Sequence, residues 1–126
     1  MGAMGAIVAV ALGGAVGSVA RHGVNIAFAT FGRPVPYATA AVNLLGSAAI
    51  GLLAGLLASG RISMAPTMRA FVFVGLLGGF TTFSSLMLDT LTLIQSGDGT
   101  LAMSNAIAQA LLGLAAVYGG YYLAVS

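Results

Sequence analysis

Gly78-Gly79-Phe80-Thr81-Thr82-Phe83-Ser84-Ser85 lies in the middle of a run that otherwise reads as a membrane-spanning helix. Two adjacent glycines followed by two β-branched threonines disfavour a helix, so a break is expected near Gly78–Thr82. In lipid, each unpaired backbone group costs several kcal/mol. A break at membrane depth therefore persists only where the freed groups face protein, water or an ion. This segment is the first candidate for an ion or solute site.

The rest of the chain has the composition such a segment needs around it. Of 126 residues, 60% are hydrophobic and 5% charged, and the mean hydropathy is +1.09. A soluble domain carries about a quarter charged residues, so this is the composition of an integral membrane protein. Four arginines, two aspartates and one histidine give a net charge of +2, too small and too dispersed for a nucleic-acid partner. The absence of cysteine excludes disulfides and thiolate metal sites. With no tryptophan, an interfacial aromatic belt falls to Tyr37, Tyr118, Tyr121 and Tyr122. The N-terminal apolar run has no basic residue before it and its first positive charge, Arg21, lies at its far end, so it is expected to be structure rather than a leader.

A membrane span needs about 20 apolar residues. Four are expected, over 3–28, 37–59, 68–95 and 101–125, forming one all-α membrane domain across 1–126 with the third span broken. Thr30–Pro36, with Pro34 and Pro36, is expected to be the first loop. Gly60–Ser63 and Pro66 make the second, with Thr67 as N-cap, and Ser96-Gly97-Asp98-Gly99 the third. Such loops leave no room for a soluble catalytic domain, and no enzyme is expected. Gly13-xxx-Gly17 and Ser47-xxx-Gly51-xxx-Gly55 have the spacing of close helix packing in lipid, within the chain or between copies. Together they lead to the expectation of an oligomer. Arg21 and Arg33 lie toward one face of the membrane, Arg61 and Arg69 toward the other. Balanced arginines set no orientation, as in a chain that inserts both ways.

Several polar groups fall inside the spans. Asn43 sits mid-span with Thr39 one turn earlier, either as glue between helices or as a ligand for an anion or water. Thr82, Ser85, Asp89 and Thr92 line one face of the third span. A carboxylate such as Asp89 inside a membrane is expensive, and it reads either as a partner of an arginine or as an ion-handling group. Phe80 and Phe83 flank the threonines, and the positive edges of aromatic rings can contact an anion. Arg21 could pair with Asp89, attract an anion or snorkel to the interface. His22 has no second ligand type in reach, so it supports neither a metal site nor a proton relay.

Gly13-Gly14-x-x-Gly17-x-x-x-Arg21, then Thr39, Asn43, Leu44 and Gly46, then Gly78-Gly79-Phe80-Thr81-Thr82-Phe83-Ser84 together resemble the bacterial Fluc (CrcB) fluoride channels along essentially the whole chain. The resemblance implies passive, fluoride-selective export through an antiparallel, dual-topology homodimer in the bacterial inner membrane. It also implies a structural Na⁺ at the dimer axis, held by main-chain carbonyls of Gly78 and Thr81. Pore-lining roles would fall to Asn43, Thr39, Phe80, Phe83, Thr82, Ser84 and Ser85, while Arg21 and Asp89 match family positions, the latter usually glutamate. Two features depart from the pattern. Leu86 stands where a second phenylalanine is expected, and Asn105 to Ala110 carries amides where tyrosine and serine are common. A heterodimer partner supplying the missing groups is one consequence. From other classes, a proton-coupled four-span exporter would have to use Asp89, and an accessory subunit would carry no ion.

Overall fold

The computed structural model describes residues 2–33 and 35–126; Pro34, part of the expected first loop, lies outside them. The described residues form α1 (Ala3–Thr30), α2 (Val35–Ala58), α3 (Pro66–Arg69), a π-helical segment π1 (Ala70–Leu77), α4 (Gly78–Phe80), α5 (Phe83–Gln95) and α6 (Gly99–Val125). Four stretches are long and apolar enough to cross a membrane: α1, α2, the composite Pro66–Gln95 and α6. The third is bent. Thr81 and Thr82 leave helical geometry for extended backbone, with φ/ψ of −89°/156° and −154°/116°.

Local chemistry fixes the helix ends. Gly32, Gly60 and Gly97 take positive φ of 67°, 74° and 85°, the left-handed position that lets a chain turn out of a helix. At each, paired bonds close the last turn, as in Asp98 N–H to Leu93 O at 2.9 Å and Gly97 N–H to Ile94 O at 3.0 Å. Some starts differ from expectation. Pro36 belongs to α2 rather than the loop, because a first helical turn needs no donor from proline. Likewise Pro66 opens α3 after an extended Ala65, so Thr67 lies inside the helix and is not its cap. Gly99 joins α6 because the Asp98 side chain accepts from Leu101 N–H and caps it. The π winding of Ala70–Leu77 has no counterpart in the sequence pattern.

α1 packs along π1 and α4, α2 along α6, and α5 returns against α6 as a hairpin. The glycine motifs explain the first two pairings. A Cβ on Gly13 or Gly17 would strike the main chain of Phe71, Leu76 or Phe80, and one on Gly75 would come within 2.9 Å of Gly13 Cα. On the other pair, Gly51 lies on the main chain of Val117, and a Cβ on Gly120 would meet Ala48 O at 2.7 Å. In lipid such close approach replaces the hydrophobic drive between helices. Both motifs are therefore consumed inside the chain, and the expectation of an oligomer does not rest on them. The buried core is correspondingly thin, built on Val42, Ala38, Ala102 and Ala124, while many Leu, Ile and Val side chains point outward.

Candidate functional site

The bend in the third span sits where α2, α4, α5 and α6 meet, and side chains from the other helices satisfy much of its backbone. Asn43 on α2 does most of this. Its Oδ1 accepts the Thr82 N–H at 2.8 Å, and its Nδ2 donates to Thr82 O at 3.1 Å and to Gln109 Oε1 at 2.8 Å. Both amide protons of Asn43 are thus engaged, one by backbone and one by α6. Gln109, 6% exposed, passes the chain on by donating from Nε2 to Asn105 Oδ1 at 3.1 Å.

These substitutions redirect the hydrogen bonds a continuous helix would have made. The i+4 donor for Gly78 O would be Thr82 N–H, which goes to Asn43 instead. The donor for Thr81 O would be Ser85 N–H, which goes to the Thr82 side chain at 3.2 Å as the N-cap of α5. Arg21 on α1 takes over the next position, its Nε donating to Gly79 O at 3.0 Å. The carbonyls of Gly78 and Thr81 are thereby released from helical pairing, while that of Gly79 is covered by a cation. Thr81 itself stays tied back, its hydroxyl donating to Leu77 O at 2.9 Å.

A groove of about 590 Å³ opens beside the bend, lined by Asn43, Thr82, Phe83, Leu86 and Gln109 among others. Gly78 and Thr81 lie at the same wall, and Ser47 adds a hydroxyl from α2. Phe83 stands at the rim with 74% of its surface exposed. Of the residues expected at the site, Asn43, Gly78, Thr81, Thr82 and Phe83 come together here. Thr39, Phe80, Ser84, Ser85, Arg21 and Asp89 do not line the groove. Thr39 is buried, Ser84 and Ser85 lie near the Thr82 hydroxyl, and Arg21 approaches the bend from the α1 side. Asp89 is buried, and Arg21, the partner considered for it, is bonded to Gly79 O instead. Thr92, at the far end of the expected polar stripe, is exposed and bonds back to Leu88 O.

Met87 and Gln109 are among the groove residues that the sequence marks weakly or not at all. Met87 carries no polar signal. Gln109 was visible only as one amide in a run, although its i, i+4 spacing to Asn105 sets both on one face of α6. No group of three or more His, Cys, Asp or Glu side chains that could hold a metal occurs among the described residues, so the oxygens on offer here are those of the main chain, hydroxyls and amides.

Residues 8–121 match the family described as CrcB-like protein, Camphor Resistance (CrcB). Among curated proteins, the chain is 46% identical over 112 residues to the fluoride-specific ion channel FluC of Magnetococcus marinus, covering 88% of this chain and 90% of that one. It is 47% identical over 112 residues to the protein of the same name in Paracoccus denitrificans, covering 88% and 87%. With that of Hyphomonas neptunium it shares 42% identity over 123 residues, 96% of each chain.

Proposed function

The chain belongs to the CrcB family, and from that premise we propose that it is a fluoride-selective ion channel, a transport protein rather than an enzyme, that lets fluoride leave the cytoplasm down its gradient. The observation that carries the reading is the convergence of Asn43, Thr82 and Phe83 on one membrane-depth groove beside a bend. Fluoride is small and strongly hydrated, so a path for it needs closely spaced donors in a narrow track, with no acceptor charge that would favour cations. Asn43, its protons both engaged, acts as the clamp that holds the wall of this track. Donors toward the groove then come from Ser47, the second N–H of Gln109 and the ring edge of Phe83. Asp89 lies off the groove, which leaves the proton-coupled exporter without support.

The pore forms where two copies meet, in an antiparallel homodimer whose second copy closes the open side of the groove against Phe83. The exposed ring at the groove rim and the balanced arginines at the two ends support that arrangement. A hard cation such as Na⁺ fits the released carbonyls of Gly78 and Thr81, since oxygen donors without competing N–H groups are what it needs. When bound it would supply positive charge and rigidity at the dimer axis. The bilayer is the bacterial inner membrane.

Phe83→Ala tests the pore assignment without disturbing the fold, because the ring is already exposed in the single chain. Fluoride efflux from liposomes is expected to fall by about tenfold or more, equivalent to about 1.4 kcal/mol in the barrier. The helical content of the purified protein, read by circular dichroism, should hardly change. Wild-type efflux from this variant and from an Asn43 variant would remove these residues from the pore.

A further inference from the structure

We propose that Asp89 on α5 and Asn105 on α6 form one polar junction, bridged by a single water, that positions the Gln109–Asn43–Thr82 chain. Two buried polar side-chain atoms among the described residues have no hydrogen-bond partner, Asp89 Oδ2 and Asn105 Nδ2. One is an acceptor and the other a donor. Asp89 is only 8% exposed, so its orphan oxygen cannot be satisfied from the surface.

Register places the two at one depth. α5 and α6 form an antiparallel hairpin through Ser96-Gly97-Asp98, and Asp89 stands as far before Ser96 as Asn105 stands after Asp98. A water accepts from an amide N–H and donates to a carboxylate oxygen, so a single molecule satisfies both orphans. A small anion would meet the donor but be repelled by the carboxylate, and a cation the reverse.

The junction matters because Asn105 is a link in a longer chain. Its Oδ1 accepts from Gln109, and Gln109 in turn accepts from Asn43, which clamps both backbone groups of Thr82. Pinning Nδ2 toward Asp89 fixes which end of the Asn105 amide faces Gln109. A flipped Asn105 would set two NH₂ groups against each other and release Gln109. Asn105 and Asp89 are thus positioning residues for the bend, at some remove from the groove itself.

The test is an exchange of the two groups in the purified protein. Asn105→Asp alone sets two carboxylates across one water and is expected to lower the melting temperature by roughly 5–10 °C. Combining it with Asp89→Asn restores one donor and one acceptor, and the melting temperature should return. Fluoride efflux should follow the same course, lost in the single variant and recovered in the exchange. Should Asn105→Asp fail to fold, Asp89→Leu, Asn105→Leu and their combination give the same information. Asn105→Leu leaves both Asp89 and Gln109 Nε2 without a partner, whereas the double leaves only Gln109, so the double is expected to be more stable than Asn105→Leu. Additive losses, or an exchange no better than Asn105→Asp, would overturn the junction. Restored stability with efflux still absent would overturn the positioning role.

Discussion

Asn43→Leu is expected to abolish fluoride efflux and to lower stability by about 2–4 kcal/mol, the net worth of three hydrogen bonds whose partners stay half-buried. Among the described residues, this side chain alone links α2 to the bend by satisfying both the N–H and the carbonyl of Thr82. Removing it orphans two backbone groups at a depth where water is scarce, and it frees Gln109 Oε1 as well. The backbone has one obvious escape. Thr82 N–H can return to Gly78 O, which straightens the span and withdraws a carbonyl proposed to hold the cation. Asn43→Asp separates the two halves of the clamp. It keeps an acceptor for Thr82 N–H but turns a second carboxylate oxygen toward Thr82 O and Gln109 Oε1. Efflux should be lost there too. Thermal unfolding in detergent and fluoride release from liposomes read the two effects, and an Asn43→Leu protein with normal efflux would show that the clamp is dispensable.

Gly17→Leu should prevent folding outright, and Gly17→Ala should cost about 1–3 kcal/mol, as overpacking of a tight contact does. A Cβ at this position runs into Leu76 O and comes within 2.9 Å of Phe80 N, main-chain atoms that cannot rotate aside. Relief requires α1 to move away from π1 and α4, which also draws Arg21 from Gly79 O, because both residues lie on α1. The loss should therefore exceed that of a simple steric defect. Gly119→Ala is the control. Nothing among the described residues lies within 4 Å of its would-be Cβ, and alanine is the better helix former, so its stability should be unchanged or slightly higher. Equal behaviour of Gly17→Ala and Gly119→Ala would contradict the glycine seam.

The membrane architecture was legible because lipid imposes few solutions: long apolar runs, and glycine or proline where they stop. The bend was legible for the same reason, as a stretch whose residues suit no helix. What pattern reading missed was where the hydrogen bonds go. Asn43 and Arg21 stood out as polar groups in lipid, yet their partners are largely main-chain atoms, and a sequence does not mark which carbonyl or N–H a bend will release. Pairing with Asp89 was one of the roles open to Arg21, but Gly79 O takes the arginine. Gln109 was obscured among alanines until the packing of α2 on α6 brought it to Asn43. The π turns of Ala70–Leu77 are likewise a property of packed helices, and the glycine motifs marked close packing without marking which helices meet there.

The central claim is that this chain conducts fluoride and excludes chloride. Its most direct test is efflux of each anion from liposomes holding this chain alone, followed with ion-selective electrodes while a potassium ionophore dissipates the membrane potential. The account predicts rapid fluoride release and chloride release no faster than from empty liposomes. Equal release of both anions, or release of neither by folded protein, would contradict it.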